Sequence, residues 1–241
     1  VEKATPRALL LAYLAKFQGM NSRELINFTT ESEIKWLAQV KGIQIAMQPL
    51  AIQAELPQWL IEKLQASLPD EEILKLGVAL QQPAPLDLRV NTLLAKREEI
   101  LTQLEQMEVK AKATPYSPIG IRLAEKPAIN QHPLFLEGKV EIQDESSQLS
   151  VYLLAPRRGE MIVDFCAGSG GKTLLIGALM QSHGRIYAFD VSDKRLNNLK
   201  PRLKRSGLSN IHPVRIDNEN DLRVKRLAGK IDRVLIDVPC S

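Results

Sequence analysis

Hydrophobic positions in the first third of the chain follow the period of an α-helix. Apolar side chains recur every three or four residues over residues 1–82, as they do when one face of a helix packs against a core. On one face of the first helix we place Leu9, Leu10, Leu11, Leu14 and Phe17. Further helices are predicted at about 34–45, from after Pro57 to 68, and at 71–80. We expect residues 1–82 to form an all-helical accessory module that carries no catalytic chemistry.

The pattern changes after a proline-rich linker at residues 81–85. Short alternating runs at 86–91, 109–113 and 119–123 predict strands, and helices are expected at 96–107 and from Asp144, a helix-capping residue, to about 154. Residues 86–150 therefore predict a small α+β segment that resembles an RNA-binding domain. If Leu88 and Val90 face inward, then Arg89 and Asn91 face outward, either into solvent or toward an RNA backbone.

The last stretch, residues 151–241, alternates strands with helices. Apolar runs at 161–164, 185–190, 211–216 and 231–237 are separated by helical patterns, which predicts βαβ units and a parallel sheet. Asp190, Asp217 and Asp237 stand at the carboxyl ends of these runs, with Cys166 close by. Ligands of open parallel sheets bind outside those ends, so we expect a binding site there.

A glycine-rich turn follows the first of these strands, with the sequence Asp-Phe-Cys-Ala-Gly-Ser-Gly-Gly-Lys-Thr at 164–173. A P-loop would need glycine where the chain has Cys166. The dinucleotide fingerprint fits Gly168 and Gly170 but would need glycine in place of Thr173. The remaining interpretations are the cofactor loop of a class I methyltransferase and a tight turn that binds nothing.

Composition and charge limit the function classes without choosing one. The 241 residues are 44% hydrophobic and carry a net charge of +4, which permits nucleic-acid binding. No apolar run approaches the roughly 20 residues that span a bilayer, and we expect no signal peptide. Two cysteines far apart argue against a disulfide scaffold and for a reducing cytoplasm. The three histidines lack metal-ligand spacing, so no metal site is predicted.

A basic run at 193–206 is predicted as a helix that Ser192 begins and Gly207 ends. Its cationic residues are Lys194, Arg195, Lys200, Arg202, Lys204 and Arg205. Such a run is either a solvated face or a contact with RNA phosphates. Pro201 within it predicts a kink.

Several of these motifs together resemble the RsmB/Nop/Sun family of RNA cytosine-5 methyltransferases. The matching segments are Leu-Arg-Val-Asn at 88–91, Gln-Asp-Glu-Ser-Ser at 143–147, the glycine-rich turn at 164–173, Asp190, and Asp-Val-Pro-Cys-Ser at 237–241. The resemblance spans residues 86–241. It implies a Rossmann-like class I methyltransferase fold, incomplete at the C-terminus. It also implies methylation of carbon 5 of cytosine in RNA, 16S ribosomal RNA by default, with S-adenosylmethionine as the cofactor.

The resemblance also implies roles for individual residues. The backbone of the turn would wrap the methionine and ribose of the cofactor, and it consists of Cys166, Ala167, Gly168, Ser169, Gly170, Gly171 and Lys172. Asp190 would bind the ribose hydroxyls, Arg195 would lie near the adenosine, and Asp217 would hold the adenine amino group. Asp237 would lie between cofactor and target base. Cys240 would assist proton removal and product release, without being the nucleophile.

The chain departs from the family pattern at two points. Ser169 stands where the family usually has proline, and the family's nucleophilic cysteine lies on a later Thr-Cys-Ser segment, a place that neither Cys166 nor Cys240 holds. We therefore expect this chain to be a truncated form that binds the cofactor without turning over. Cys166 is equally well explained as a small packing residue. The alternatives are a non-catalytic cofactor- or RNA-binding relative and, less favoured, a P-loop NTPase.

Overall fold

The helical period of the N-terminal residues produces a helical unit. The computed structural model describes residues 5–238, and the chain divides after Pro83 into two units. The helices of the first unit are α1 (Pro6–Lys16), α2 (Ser22–Leu25), α3 (Glu31–Gly42), α4 (Leu50–Gln53), α5 (Gln58–Gln65) and α6 (Asp70–Gln81), with 3-10 turns at Ile26–Phe28 and Ile45–Met47. A capping box between Thr30 and Glu33 begins α3. The predicted helical character of residues 1–82 is confirmed for the described part, residues 5–82.

The first unit has two small apolar clusters. Leu11, Ala15, Leu25 and Leu37 form one, and Ala54, Ile61 and Ile73 form the other. The predicted apolar face of α1 is wrong, because Leu9, Leu10 and Phe17 are 58–61% exposed. At 100° per residue the five predicted positions spread over about 200° of the helix circumference, which is wider than one packing face. Hydrophobicity alone could not tell which of them would be covered.

The second unit begins with an antiparallel sheet. Its elements are β1 (Leu86–Val90), α7 (Arg97–Gln106), β2 (Ala111–Ala113), β3 (Gly120–Leu123), α8 (Pro133–Leu136), β4 (Val140–Ile142) and α9 (Glu145–Leu154), with a 3-10 turn at Ile129–Gln131. The strand order is β2-β3-β1-β4, so β1 lies inside the sheet. Asp144 caps α9 as predicted, because its Oδ1 accepts the Ser146 N–H at 2.8 Å.

A parallel sheet follows, as the alternating pattern predicts. Its elements are β5 (Met161–Asp164), α10 (Gly171–Leu179), β6 (Arg185–Asp190), α11 (Asp193–Ser206), β7 (Ile211–Arg215), α12 (Leu222–Lys225) and β8 (Arg233–Leu235), and the strand order is β7-β6-β5-β8. The order reverses at β5, which makes the gap above β5 a topological switch point where ligands of such sheets bind. Ser192 caps α11 and Gly207, with φ of +74°, ends it. Pro201 lies inside this helix, and the kink expected there stays a prediction.

One hydrophobic core serves both sheets of the second unit. Leu88 and Ile121 of the antiparallel sheet belong to the same buried cluster as Ile162, Leu175 and Ile186 of the parallel half. The antiparallel sheet therefore has a fixed position against β5 and the turn that follows it. No helix within residues 5–238 combines the length and the hydrophobicity that crossing a bilayer requires.

The polar residues of β1, and Asn91 just after it, are buried rather than outward-facing. Arg89 is 1% exposed and Asn91 is 3% exposed, so the expectation that they meet solvent or RNA is wrong. Asn91 Nδ2 donates to the Gly138 carbonyl at 3.1 Å and to the Ser206 carbonyl at 2.9 Å. Asp87 on the same face accepts two hydrogen bonds from Arg122, each of 2.8 Å. The alternation of residues correctly indicated one apolar and one polar face of β1. The polar face is buried because it packs against α9 and the end of α11.

Gly77 offers a test of packing in the first unit. A Cβ at this position would lie 2.2 Å from the Ala54 carbonyl oxygen, so Gly77→Ala must push α6 away from the residue that follows α4. Alanine favours a helix over glycine by about 1 kcal/mol, but overpacking costs about 1–3 kcal/mol. We expect Gly77→Ala to lower the urea midpoint of this unit. Tryptophan fluorescence measures it, because Trp36 and Trp59 are the only two tryptophans of the chain.

Gly42→Ala is the matched control. A Cβ at Gly42, the last residue of α3, would meet no atom of residues 5–238 within 4 Å. We expect this variant to leave the urea midpoint unchanged or to raise it. The gain in the free energy of unfolding should be at most about 1 kcal/mol. Equal effects of the two substitutions would contradict the close contact at Gly77.

Candidate functional site

The turn between β5 and α10 is shaped by two glycines in left-handed conformations. Gly168 has φ of +56° and Gly170 has φ of +83°, and the Gly170 N–H donates to the Ala167 carbonyl at 2.8 Å. A Cβ at Gly170 would lie 2.1 Å from a Leu199 methyl carbon, whereas at Gly168 it would meet nothing within 4 Å among the described residues. Gly170 is therefore required for packing against α11, and Gly168 leaves an open side that a ligand can approach.

Asp190 ties this turn to the end of β6. Its buried carboxylate accepts the Gly168 N–H on Oδ2 at 2.9 Å and the Ser192 N–H on Oδ1 at 2.8 Å. The Arg195 guanidinium lies 3.6 Å from Oδ2. The sequence analysis predicts that Asp190 binds the ribose hydroxyls of a cofactor. In the structure the Asp190 carboxylate also fixes the backbone of the glycine-rich turn.

Two adjoining clefts open above the carboxyl ends of the strands. The first, which we call the β6–β7 cleft, has a volume of about 250 Å³ and is lined by Phe165, Cys166, Asp190, Val191, Arg195, Ile216, Asp217, Asn218 and Glu219. Four predicted site residues therefore meet here, namely Cys166, Asp190, Arg195 and Asp217. The Asp217 carboxylate is exposed and pairs with Arg215 at 2.9 Å.

The second, the β5–β8 cleft, has a volume of about 260 Å³. It is lined by Ile142, Gln143, Asp144, Ser147, Asp164, Cys166, Ala167, Ser169, Gly171, Lys172, Arg202 and Asp237. Cys166 lines both clefts, so they meet at this residue. Two predicted site residues, Gly168 and Gly170, shape the turn. Neither is among the described residues that line the two clefts.

Lys172 and Asp237 form an ion pair at the β5–β8 cleft. The Lys172 ammonium donates to Asp237 Oδ2; the lysine side chain is largely buried and the aspartate is half exposed. A cation and a carboxylate are thus held together where the resemblance places the target base. Cys240, the other predicted catalytic residue, lies outside the described residues.

Asp164 is a residue of the site that sequence reasoning left without a role. It is 1% exposed, and its Oδ2 accepts the Thr173 hydroxyl at 2.6 Å. Its Oδ1 is buried and has no hydrogen-bond partner within residues 5–238. Burial raises the pKa of Asp164 to about 6, although the Thr173 hydrogen bond and the Lys172 charge oppose the rise. The available signal was a carboxylate at the end of an otherwise apolar strand.

Burial also decides the state of Cys166. It raises the pKa of the thiol, and the carboxylates of Asp190, Asp164 and Asp237 raise it further. The thiol therefore stays protonated at neutral pH in the structure described here, which does not favour Cys166 as a nucleophile. Within residues 5–238, no group of three or more histidine, cysteine, aspartate or glutamate side chains could hold a metal ion.

The raised pKa of Asp164 predicts a pH-dependent stability. Its native-state pKa of about 6 exceeds the ordinary value of 3.8, so its proton stabilises the native state fully below about pH 4. This stabilisation is lost as the pH rises through 6, and about 2 pKa units correspond to about 3 kcal/mol. The Asp164→Asn variant does not lose stability in this way, because the asparagine side chain does not ionise. We expect its free energy of unfolding, relative to wild type, to rise by about 2 kcal/mol between pH 4 and pH 7 in urea titrations.

Thr173→Val provides a second arm of the same experiment. It removes the hydroxyl that stabilises the ionised carboxylate, so the pH at which stability falls should move upward. An Asp164→Asn difference that is the same at pH 4 and pH 7 would contradict the burial of a titrating carboxyl group.

Comparisons with known proteins match both halves of the second unit. Residues 151–241 match the family model described as 16S rRNA methyltransferase RsmB/F. Residues 56–130 match the model described as Methyltr_RsmF/B-like, ferredoxin-like domain, which begins within the helical unit and ends in the antiparallel segment.

Curated relatives agree with these models. The chain is 38% identical over 196 residues to a Synechocystis protein named "Probable ribosomal RNA small subunit methyltransferase B". It is 35% identical over 186 residues to the ribosomal RNA small subunit methyltransferase B of Yersinia pseudotuberculosis. The alignments cover 80% and 77% of this chain but 43% and 42% of the relatives. The chain therefore spans less than half the length of these proteins.

Solved structures show the same fold. A methyltransferase homolog protein from Pyrococcus horikoshii matches with a TM-score of 0.70 and 29% identity, over 83% of this chain and 64% of that one. NSun6 from the same organism, solved with SFG, matches with a TM-score of 0.68 and 21% identity, over 76% and 71% of the two chains. With its parallel sheet, its glycine-rich turn and these relatives, the chain belongs to the RsmB/Nop/Sun family of methyltransferases.

Proposed function

We propose that the second unit binds S-adenosylmethionine and that the whole protein methylates carbon 5 of cytosine in small-subunit ribosomal RNA. The observation that carries the proposal is the pair of clefts that meet at Cys166, one on each side of the glycine-rich turn. The names of the relatives, ribosomal RNA small subunit methyltransferase B, support the substrate class. A net charge of +4 is compatible with an RNA substrate.

The residues present fit the proposed cofactor. The β6–β7 cleft offers carboxylates at Asp190 and Asp217 for hydroxyl and amino donors, and the apolar side chains of Phe165 and Ile216 for a nucleobase. The open side of Gly168 allows a ligand to approach the backbone of the turn. When bound, this cofactor supplies an electrophilic methyl group on a sulfonium centre.

The β5–β8 cleft is where we place the target base. Carbon 5 of cytosine is a poor nucleophile, and addition of a cysteine thiolate to carbon 6 makes it enamine-like. Asp237, held by Lys172, would stabilise the activated ring near its nitrogen 3. After methylation, the proton on carbon 5 leaves to a base and the thiolate is eliminated, a stage that Cys240 would assist. In the family the nucleophile lies on a later Thr-Cys-Ser segment, so the complete reaction is proposed for a protein that carries it.

A P-loop NTPase is disfavoured by the partners of the two residues that would bind phosphate and magnesium. The Lys172 ammonium is engaged by Asp237, and the Thr173 hydroxyl donates to Asp164. The carboxylates of Asp164, Asp190 and Asp237 all act on Cys166 in the turn. A triphosphate here would meet negative charge where a P-loop supplies positive charge and free N–H groups.

A cofactor-binding protein without catalysis is the second candidate for the chain as it stands. The observation behind it is that the sequence has only Cys166 and Cys240, and neither holds the place of the family's nucleophile. We expect the 241-residue chain to bind S-adenosylmethionine without transferring its methyl group. Transfer of labelled methyl to a cytosine-containing ribosomal RNA by this chain, above a no-protein blank, would contradict this expectation.

Calorimetric titration tests the cofactor directly. We expect S-adenosylmethionine to bind without added metal and ATP with Mg²⁺ to give no heat of binding. Asp190→Asn should weaken the binding of S-adenosylmethionine at least tenfold. One amide oxygen cannot accept both the Gly168 N–H and the Ser192 N–H, as the two carboxylate oxygens do.

The control is Asp193→Asn, the same chemical change at an exposed residue in the first turn of α11. It should leave the affinity within twofold of wild type. Binding of ATP with Mg²⁺ in place of S-adenosylmethionine would overturn the proposal in favour of a P-loop protein.

A further inference from the structure

Arg202 on α11 reaches the glycine-rich turn instead of facing solvent or RNA. Its Nη1 donates to the Ser169 carbonyl at 2.8 Å and lies 3.1 Å from the Ser169 hydroxyl. The side chain is largely buried at the wall of the β5–β8 cleft. Both hydrogen-bond contacts of Arg202 Nη1 are thus made with one residue of the turn.

Glu141 on β4 holds Arg202 from the opposite side. Glu141 is buried, and its Oε2 accepts from Arg202 Nε at 3.0 Å and from Nη2 at 2.8 Å. Its Oε1 accepts from Arg205 Nη2 at 2.7 Å, and the Arg205 guanidinium lies 4.2 Å from the centre of the Phe135 ring. The planar fork of arginine converts this arrangement into a fixed direction, so Arg202 can point only at the turn.

Arg89 adds a third arginine to the same buried cluster. It pairs with Glu141 in the β1–β4 register, and burial lowers its pKa to about 10 although the Glu141 charge opposes this. Arg89 Nε has no hydrogen-bond partner among the described residues, while Glu141 accepts from Arg202 and Arg205. The cluster is short of acceptors, and the Ser169 carbonyl provides one.

The turn itself has little to fix it from within. Gly168 and Gly170 flank Ser169, both with positive φ, and glycine loses more conformational freedom on ordering than any other residue. Asp190 fixes the Gly168 side of the turn, and Arg202 fixes Ser169. A loop that is ordered before its ligand arrives binds the ligand more tightly, because binding then causes a smaller loss of conformational entropy.

We propose that Arg202, oriented by Glu141, is a positioning residue that pre-orders the glycine-rich turn and thereby sets the affinity for S-adenosylmethionine. The inference rests on the proposed function for its ligand. It assigns the antiparallel segment, through Glu141, a part in forming the cofactor site of the parallel sheet.

Hydrogen exchange and calorimetry on the same variants test this inference. Arg202→Gln removes the charge and the fork. We expect faster exchange of the amides at 168–172 in the ligand-free protein and at least tenfold weaker S-adenosylmethionine binding. Glu141→Gln should act in the same direction, because Arg202 loses its charged partner. Lys204→Gln removes one positive charge from an exposed position of α11 and should change neither quantity.

Ser169→Pro supplies a rescue that a merely structural role would not give. Ser169 is not among the described residues with positive φ, and its N–H is not a donor in any described hydrogen bond, so proline would break no hydrogen bond described here. Proline restricts φ without Arg202. In the Arg202→Gln background it should slow the exchange of the turn and recover at least threefold of the lost affinity.

The outcomes separate the two proposals. If wild type binds no S-adenosylmethionine, the proposed function fails, and the exchange data alone decide whether Arg202 orders the turn. Weaker binding in Arg202→Gln with unchanged exchange would show that Arg202 contacts the ligand directly, which overturns the inference. Should Arg202→Gln fail to fold, Ser169→Ala removes only the hydroxyl contact, and unchanged exchange in both Ser169→Ala and Glu141→Gln would overturn it as well.

Discussion

A glycine-rich turn must be open enough for a ligand to reach its backbone and yet fixed enough to bind it. In this protein buried carboxylates satisfy both requirements. Asp190 accepts the Gly168 N–H directly, and Glu141 acts at one remove by orienting Arg202 toward Ser169. The turn is therefore held at two points by side chains from different elements, while the outer side of Gly168 remains open.

This arrangement explains why a buried polar cluster accompanies the hydrophobic core that the two sheets of the second unit share. Asp87 and Arg89 of β1, Asn91 just after it, and Glu141 of β4 are all buried, and burying charges is costly unless they are paired. Pairing is provided by Arg122 for Asp87 and by Arg202 and Arg205 for Glu141. Apolar side chains in place of this cluster could pack as well, but they could not direct a guanidinium at the turn.

Two further carboxylates set the chemical preference of the clefts. Asp164 and Asp237 engage Thr173 and Lys172, which in a P-loop would serve phosphate and magnesium. What remains around the turn is acceptor-rich, and it suits a ligand with hydroxyl, amino and cationic groups. The resemblance in sequence and the electrostatics of the site therefore favour the same class of cofactor by independent routes.

Local pattern determined the order of helices and strands, the parallel sheet, the caps at Asp144 and Ser192, and the gathering of Cys166, Asp190 and Asp217 at the strand ends. These features depend on periodicity and on short-range hydrogen bonds, which neighbouring residues encode. Only the tertiary structure decided that Arg89 and Asn91 are buried, that Arg202 is largely covered, that most of the apolar surface of α1 is exposed, and that Asp164 lines a cleft. A charged residue has the same local signature whether it faces water or a partner 60 residues away, because burial is a property of what packs against it.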